Sequence, residues 1–466
     1  MTLAQLDEKP LAALHGLARE LGIADYSGYR KRDLIYAILE ARATASADVP
    51  TGGRPRPRRA TRAASPAGHR ISPDWPGYMQ TYNPREVQLA GLIRKTGVLE
   101  ILPDGYGFLR SADYSYLPSP DDIYVSPSQI KRFSLRLGDT VDGQVRPPKE
   151  GERFFALIRV HSINGRLPED LADHTGFDYL TPAYPEERIR LETTPDIVAT
   201  RIVDLAAPIG KGQRGLIIAP PESGLTTLLQ QIAAAIAVND PAATLIVLLV
   251  DERPEEVTDF VRALDRITGG AAVEVIASTF DTAPERQTHI ADLVLEKAKR
   301  LVEAGQDVIL LVDSITRLAR AHAAAAEERR AGGAEPARAG GASGPKRLFG
   351  SARALEEGGS LTVIATALSD TGRAADQEIV DEFKGSGNME LVLSADLARR
   401  HVHPAIDLSR SRTRREEILV PPDRLAQTRA LRAELAGLQP DAALVTLRDR
   451  LETTDSNEAL LATLSA

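Results

Sequence analysis

The sequence contains no cysteine, which excludes disulfide bonds and metal sites built on thiolates. It also has no uninterrupted apolar run near the roughly 18 residues of a membrane-spanning helix, so we predict no transmembrane segment and no membrane partner. The N-terminal stretch carries acidic side chains and lacks the basic and apolar regions of a secretory signal peptide. From these absences we expect a cytoplasmic protein.

An excess of positive charge is lacking as well, because 65 acidic residues outnumber 57 Lys and Arg and give a formal net charge of −8. Binding to a nucleic acid would therefore need a local basic surface or stacking aromatic rings. Hydrophobic residues make up 43% of the chain and charged residues 26%, which is typical of a globular protein with a sizeable core. The length of 466 residues predicts roughly two to four domains.

The N-terminal part of the chain divides into two segments of different composition. Residues 1–45 contain leucines at helical spacing, which predicts a small helical module. A plain packing unit and a nucleic-acid contact are equally good interpretations of this module. Residues 46–90 are rich in Arg and Pro and predict a flexible linker. An arm that attracts RNA phosphates is an equally good interpretation of this segment.

Residues 91–167 predict a β-barrel of the oligonucleotide-binding, cold-shock-like type. The strand candidates are residues 98–102, 106–109, 122–125, 139–141 and 154–158, with turn residues between them. Tyr106 and Phe108 are two positions apart and share one face of a strand, where rings can stack on bases. Further rings and phosphate-binding cations could come from Tyr124, Phe154, Arg110, Lys131, Arg132 and Arg153. Taken alone, burial of such rings in the barrel core is the more common outcome.

Residues 185–430 alternate apolar strands with helical segments, which predicts a parallel sheet covered by helices on both faces. The strand candidates are residues 215–219, 244–250, 273–276, 308–312 and 361–365. Residues 321–344 interrupt this pattern and predict a frayed helix and a flexible loop. Residues 431–466 predict C-terminal helices.

The turn at residues 219–226 follows a predicted strand and precedes a predicted helix, which is the place of a phosphate-binding loop. In such a loop backbone N–H groups hold the phosphates, a lysine contacts the β and γ phosphates, and Ser or Thr binds Mg²⁺. Here Leu225 occupies the lysine position and Ala219 replaces the first glycine. By pattern alone the motif is weak.

Two acidic residues end apolar strands downstream of this turn. Glu252 is placed to act as a general base toward an attacking water, and Asp313 resembles an aspartate that holds Mg²⁺. One such acid is often only a helix cap, whereas two of them favour a nucleotide site. The basic run at residues 409–416 predicts either a solvated loop or an arginine finger that reaches a neighbouring subunit's nucleotide.

Across almost its whole length the sequence resembles the bacterial transcription termination factor Rho family. Long matching stretches carry the resemblance, namely residues 104–113, 120–129, 146–152, 210–215, 251–258, 313–320, 356–362 and 382–390. The resemblance implies a homohexameric ring in which N-terminal barrels bind nascent single-stranded RNA. It further implies that RecA-like P-loop ATPase domains use ATP and Mg²⁺ to translocate on the RNA and dislodge RNA polymerase.

The resemblance also implies roles for individual residues. The primary RNA site would comprise Tyr106, Phe108, Arg110, Asp122, Tyr124, Glu152 and Phe154, with Lys384 gripping RNA in the pore. The catalytic set would comprise Glu252, Arg253, Asp313 and the arginine finger Arg414, with Thr226 and Asp313 at Mg²⁺. The nucleotide contacts would be Gly210, Lys211, Gly212, Gln213, Arg214, Gly215, Glu222, Ser223, Gly224, Leu225, Thr226, Thr227, Arg253 and His403.

The departures from the family pattern concentrate at the nucleotide site. Glu222 and Leu225 stand where the family has two lysines, and His403 stands where it has the phenylalanine that stacks on adenine. Further departures are Thr227 for methionine, His401 for arginine, and the pore-loop pattern at residues 332–341. The charge of the loop falls by about three units, and unit charges about 4 Å apart interact by roughly 4 kcal/mol at an effective dielectric near 20. We therefore expect weakened ATP binding, with Lys211 or Arg253 as candidate compensating cations.

Two functions stay open at this level. The first is an RNA-dependent ATPase and helicase that terminates transcription by acting on the RNA polymerase elongation complex. The second is an ATPase-impaired paralogue that binds RNA and joins a homohexamer or a mixed hexamer with a catalytic relative. RNA binding is expected in both cases.

Overall fold

A computed structural model describes residues 11–20, 93–149, 151–171, 175–270, 273–331 and 343–464. One compact unit comprises Met1–Ser111, Pro118–Arg136 and Thr140–Ala172, and a second comprises Ala112–Leu117, Leu137–Asp139 and Asp173–Ala466. Of the predicted N-terminal module, helix α1 (Leu11–Glu20) is described. The predicted linker at residues 46–90 lies outside the described residues.

Five strands of the first unit close into a barrel in the order β1-β2-β3-β5-β4. They are β1 (Ile93–Ile101), β2 (Gly107–Arg110), β3 (Ile123–Val125), β4 (Thr140–Arg146) and β5 (Phe155–Ile163). Neighbouring strands are antiparallel except β3 and β5, which are parallel. Helix α2 (Pro127–Arg132) follows β3 and begins with a reciprocal capping box between Ser126 and Gln129. The five predicted strands are thus confirmed.

The barrel interior is filled by aliphatic side chains. Its buried members are Leu99, Leu109, Ile123, Val125, Leu135, Val141, Val145, Leu157, Val160 and Ile163. Because side chains alternate along a strand, the residues between these positions face outward.

The second unit is built on a sheet whose main path runs β11-β10-β12-β14-β9-β15-β16. The strands of this unit are β6 (Pro182–Ala183), β7 (Arg188–Ile189), β8 (Ile209–Gly210), β9 (Arg214–Ala219), β10 (Thr244–Glu252), β11 (Glu274–Thr279), β12 (Asp307–Asp313), β13 (Arg353–Leu355), β14 (Ser360–Leu368), β15 (Met389–Val392) and β16 (Arg412–Thr413). The pairs from β11 to β15 are parallel, and β16 is antiparallel to β15. The carboxyl ends of the parallel strands therefore meet at one edge of the sheet.

Helices connect these strands and cover the sheet. They are α3 (Val198–Ala206), α4 (Leu225–Asn239), α5 (Pro254–Thr268), α6 (Pro284–Glu303), α7 (Ile315–Ala331), α8 (Ser343–Gly350), α9 (Ala374–Phe383), α10 (Ala395–Arg399), α11 (Glu416–Leu419), α12 (Pro422–Ala436), α13 (Pro440–Glu452) and α14 (Asn457–Thr463). The five predicted strands of this region are all present. None of the described helices is both long enough and apolar enough to cross a bilayer.

Two predictions about segment boundaries need correction. Helix α12 runs through residue 430, and leucines of α12, α13 and α14 belong to the same core as the sheet, so the last helices are part of the second unit. The predicted frayed segment at residues 321–344 is a regular helix as far as Ala331, because α7 packs against α6 and the sheet. Residues 332–342, which include the altered pore-loop pattern, lie outside the described residues.

Candidate functional site

Four aromatic rings gather on the outside of the barrel, and we call them the aromatic face. Phe108 on β2 lies directly opposite Tyr124 on β3, with ring centroids 6.1 Å apart. The centroids of Tyr106 and Phe154 lie 5.9 Å and 4.9 Å from that of Phe108, both in edge-to-face arrangement. All four rings are partly exposed, and they are absent from the packed barrel interior. The interpretation that they form the barrel core is therefore wrong.

The side chain of Arg110 holds the aromatic face in place. Its guanidinium lies 5.0 Å from the centroid of Phe108, as in a cation–π contact. It pairs with Glu100 at 2.5 Å and with Asp122, whose carboxylate also accepts a 2.9 Å hydrogen bond from the backbone N–H of Ser119. Arg110 and Asp122 are buried, so the two residues position the rings and offer little free charge to a phosphate.

Glu152 precedes Phe154 by two residues and is held as an anion. Its carboxylate accepts a 2.6 Å bond from Arg146 and a 3.1 Å bond from the backbone N–H of Lys149. Partial burial opposes ionisation, but these hydrogen bonds outweigh it and lower the pKa of Glu152. The predicted phosphate-binding cations Lys131, Arg132 and Arg153 are exposed.

In the second unit, the phosphate-loop turn lies between β9 and α4, as predicted. Gly224 caps α4 at φ +81°, a left-handed conformation that glycine adopts without strain, and Ser223 Oγ donates a 2.7 Å bond to the Pro220 carbonyl. Leu225 is partly buried and packs against the hydrophobic core. Glu222 is exposed at φ +60°. The turn therefore joins β9 to α4 as predicted, and it carries no lysine.

The two predicted acids end neighbouring parallel strands, because Leu249 of β10 pairs with Asp313 of β12. Asp313 is buried and accepts a 2.7 Å bond from Thr366 Oγ1. Burial raises the pKa of Asp313, and the hydrogen bond from Thr366 and the charge of Arg317 only partly offset this effect. Glu252 pairs with Arg317, which also donates a 3.2 Å bond to the Asp251 carbonyl.

Sequence reasoning missed Arg317 and Thr366. Arg317 lies four residues after Asp313, one helical turn away, so its approach to the strand ends was readable from spacing. Thr366 is a polar residue inside the otherwise apolar strand β14, which was the available signal. Arg317, at the start of α7, contacts the end of β10, and Thr366 of β14 contacts Asp313 at the end of β12.

The segment Gly210–Gly215, predicted to contact the nucleotide, lies at the other end of β9. The phosphate-loop turn follows the last residue of this six-residue strand, so the two ends are roughly 15–20 Å apart at ~3.3 Å per residue. Lys211 pairs there with Glu187 at 2.5 Å and with Asp240 and Asp307 at 3.0 Å. Burial alone would lower the pKa of Lys211, but these carboxylates raise it above the ordinary value. The prediction is corrected: this segment, and Lys211 with it, does not belong to the phosphate loop of its own chain.

A cavity of about 270 Å³ opens at this same end of β9, and we call it the arginine pocket. Its lining contains Arg214, Arg414 and Arg415 together with uncharged residues, and no acid among the described residues. Arg214 Nε donates a 2.8 Å bond to the Ser386 carbonyl. Burial, then the like charges of Arg353 and Arg414, lowers the pKa of Arg214.

The remaining predicted residues are exposed near the ends of their elements. His403 lies beside the phosphate-loop turn, since its Nδ1 is 3.5 Å from the position of a Cβ built on Gly224. Arg253 caps α5 next to Glu252 and is exposed. Thr226 and Thr227 are exposed in the first turn of α4, and Lys384 is exposed directly after α9.

Three family models match the sequence. They are the Rho termination factor N-terminal domain at residues 5–47, the Rho termination factor RNA-binding domain at residues 95–169, and the ATP synthase alpha/beta family nucleotide-binding domain at residues 199–413. The RNA-binding match coincides with the barrel. The nucleotide-binding match covers the sheet with the turn at 219–226 and both acids.

Two solved structures share the fold of the second unit. An ATPase from a bacterial type III secretion system is 24% identical with a TM-score of 0.51, covering 62% of this chain and 87% of that chain. An ATP synthase subunit from Nanoarcheaum equitans is 20% identical with a TM-score of 0.50, covering 64% and 79%. The fold class is thus confirmed: a small N-terminal module, an oligonucleotide-binding barrel and a RecA-like α/β domain.

Similarity to relatives extends over the full chain. Transcription termination factor Rho of Pseudomonas fluorescens biotype C is 47% identical, covering 98% of each chain. The Rho factor of Escherichia coli (strain K12) is 45% identical over 98% of each chain, and that of Thermotoga maritima is 44% identical over 99% of this chain and 96% of its own. The three domain models, in this order, and these full-length identities show that the chain belongs to the transcription termination factor Rho family.

Proposed function

We propose that this chain binds single-stranded RNA through the aromatic face of its barrel. The observation that carries the proposal is the cluster of four partly exposed rings outside the barrel core. Exposed rings that are held by their neighbours can stack on unpaired bases, and stacking is worth roughly 1–3 kcal/mol per base. The family model for RNA binding matches this same barrel, which supports the proposal.

A nucleotide site with weakened affinity accompanies the RNA site in this proposal. The turn at 219–226 offers backbone N–H groups to phosphate, and Glu252 and Asp313 stand at the strand ends beside it. Glu222 and Leu225 supply no positive charge, and Lys211 is paired at the far end of β9. Arg253 remains as the candidate cation. We therefore expect ATP to bind weakly and to be hydrolysed slowly by this chain.

The residues present fit Mg²⁺ as it is held in nucleotide sites. Asp313 supplies a carboxylate and Thr226 a hydroxyl, which are the oxygen ligands that Mg²⁺ accepts. No group of three or more potential ligands converges among the described residues, so Mg²⁺ would enter together with the phosphates of the nucleotide. There it would offset the negative charge that the missing lysines leave unbalanced.

The position of Arg414 supports the proposal of a ring of copies. Arg414 directly follows β16, whose Thr413 pairs with Met389 of β15. Met389 in turn pairs with Gly215 near the start of β9, at the end opposite the phosphate-loop turn. An arginine finger at this place can only serve the nucleotide of another copy. A homohexamer, or a mixed hexamer with a catalytic relative, satisfies this requirement.

The proposed role is that of a Rho-type termination factor that captures nascent RNA and acts on the RNA polymerase elongation complex in the cytoplasm. The weakened phosphate loop favours the second candidate, an ATPase-impaired paralogue that modulates a catalytic Rho. The acids Glu252 and Asp313 are retained, so slow hydrolysis by this chain fits the same geometry.

Replacing rings of the aromatic face tests the RNA site. We expect Tyr106→Ala with Phe108→Ala to weaken the binding of a fluorescent cytidine oligonucleotide by about tenfold or more, because two stacking surfaces are lost. Fluorescence anisotropy at fixed salt measures the dissociation constant. Fixed salt is required because phosphate contacts depend strongly on ionic strength.

A matched control is Tyr179→Ala, which removes an 86% exposed tyrosine outside the barrel. This variant should bind the oligonucleotide like the wild type. Unchanged affinity in the Tyr106, Phe108 double variant would refute the aromatic face as the RNA site.

A further inference from the structure

Two groups of opposite charge in the second unit have no counter-ion within the described residues. Glu222 is exposed, at φ +60°, and forms no hydrogen bond or ion pair with the described part of the chain. Arg414 in the arginine pocket is likewise exposed and has no side-chain partner there. Burial, then the like charges of Arg353 and Arg414, lowers the pKa of the neighbouring Arg214. The carboxylate nearest to Arg415, that of Glu417, lies 3.8 Å away. The arginine pocket is therefore suited to bind an anion.

Glu222 and the arginine pocket cannot meet within one chain. The pocket lies at the amino end of β9 and Glu222 lies beyond its carboxyl end. The roughly 15–20 Å between the two ends exceeds the reach of both side chains. Any pairing between them must join two copies.

We propose that Glu222 of one copy enters the arginine pocket of a neighbouring copy and pairs with Arg414 there. The inference rests on the ring of the proposed function. Each copy carries one acid and one pocket at opposite ends of its sheet, so the contact repeats head to tail. A head-to-tail contact forms a ring when the rotation between successive copies closes, as the ring of the proposed function requires. A guanidinium binds a carboxylate through two parallel hydrogen bonds, and a pocket of about 270 Å³ admits a carboxylate side chain.

The position of Glu222 favours this occupant over a phosphate of RNA or of a nucleotide. The residue lies two positions before the cap of α4, where the positive end of the helix stabilises an acid. The left-handed backbone at Glu222 is unusual for a residue other than glycine, and it presents an unpaired carboxylate at the turn. A subunit contact held by Glu222 needs no nucleotide. Mg²⁺-nucleotide arriving at the same turn would compete with it.

Charge reversal on both sides of the contact tests the pairing. Self-association of the full chain, without nucleotide or RNA, is measured by sedimentation over a range of protein concentrations. We expect Glu222→Arg and Arg414→Glu each to weaken association by about tenfold or more, because each places like charges together. The double variant should recover association to within about threefold of the wild type.

Asp196→Arg provides the matched control, since it reverses an exposed acid ahead of α3 and should leave association unchanged. Single variants that assemble like the wild type would overturn the pairing, and so would a double variant that fails to recover. Oligonucleotide binding, measured in the same samples, distinguishes failure of the Glu222–Arg414 contact from failure of the proposed function. If the double variant does not recover association but RNA binding is retained, only the Glu222–Arg414 contact is rejected. If the wild-type chain does not bind RNA, the proposed function is rejected.

Discussion

At the scale of single residues, we propose that the charge of the phosphate-loop turn determines how strongly this protein binds nucleotides. Leu225 turns toward the core and Glu222 adds a negative charge, while the backbone cradle and the acids at the strand ends are kept. We expect a triphosphate to meet too little positive charge at this turn. In this proposal the electrostatics of the site, and not its backbone architecture, weakens nucleotide binding.

Returning lysine to the turn should reverse this effect. We expect Leu225→Lys to tighten Mg²⁺-ATP binding by about tenfold and to raise RNA-stimulated ATP hydrolysis, because a cation again contacts the β and γ phosphates. Adding Glu222→Lys should increase both quantities further. Titration with a fluorescent nucleotide measures binding, and phosphate release with poly(C) measures turnover.

Glu252→Gln in the Leu225→Lys background is the control, because it should abolish hydrolysis while leaving nucleotide binding in place. Wild-type turnover as fast as that of the lysine variants would contradict the claim that the turn is impaired.

At the scale of elements, α7 and α9 are tied together through one buried carboxylate. Asp376 of α9 accepts a 2.8 Å bond from Arg320 Nε of α7 and a further bond from Thr371 Oγ1 in the loop before α9. Burial would raise the pKa of Asp376, but these hydrogen bonds from Arg320 and Thr371 outweigh burial and lower it. This contact fixes α7 against α9. Helix α7 follows the strand that ends at Asp313, and α9 ends just before Lys384.

We expect Asp376→Asn to destabilise the second unit by roughly 1–3 kcal/mol, because it weakens charge-assisted hydrogen bonds at a buried site. Since the folded-state pKa is lowered, the ionised carboxylate stabilises the fold above the ordinary aspartate pKa of about 3.9. That contribution is lost as the pH falls through the lowered value. The difference in Tm between wild type and variant should therefore be constant from about pH 6 to 8 and shrink below about pH 4.

Thermal melts followed by circular dichroism measure this difference, and Glu378→Gln, an exposed acid on the same helix, is the control. A Tm difference that grows toward acid pH would contradict the assigned direction of the pKa shift.

At the scale of the whole molecule, the last three helices complete the core of the second unit. The guanidinium of Arg201 on α3 is fully buried and donates 2.8 Å bonds to the carbonyls of Leu451 and Thr454. Asn457 Oδ1 accepts a 3.3 Å bond from its Nε. The nearest carboxylate, that of Glu192, lies 3.6 Å away. One buried cation thus binds the C-terminal helices to a helix about 250 residues earlier in the chain.

We expect Arg201→Met to lower the stability of the second unit by about 3 kcal/mol, because the buried carbonyls lose their donor and the Glu192 carboxylate loses a nearby positive charge. Thermal melts should show a Tm reduced by several degrees. Arg399→Met, which removes an exposed arginine, should melt like the wild type. Equal melting temperatures for the Arg201 and Arg399 variants would refute the structural role of the buried arginine.

The sequence by itself determined the longer strands and the family. Alternating or continuous apolar patterns identified all five barrel strands and five strands of the central sheet, because burial on one or both faces leaves a period that can be read locally. The strands β6 to β8 and β13, β15 and β16 escaped prediction because all six are only two to four residues long, too short to show a period. The missing lysine was likewise visible from Leu225 alone.

Only the tertiary structure decided which groups share a site. The barrel had to close before the four rings could be assigned to its outside, because the alternation of a strand does not say which face is the interior. Lys211 is close to the phosphate loop in sequence, yet a whole strand separates them. Thr366 reaches Asp313 from a segment about 50 residues later, and Arg317 reaches Glu252 from a segment about 65 residues later. Neighbours across a sheet are set by long-range pairing, which local spacing does not encode.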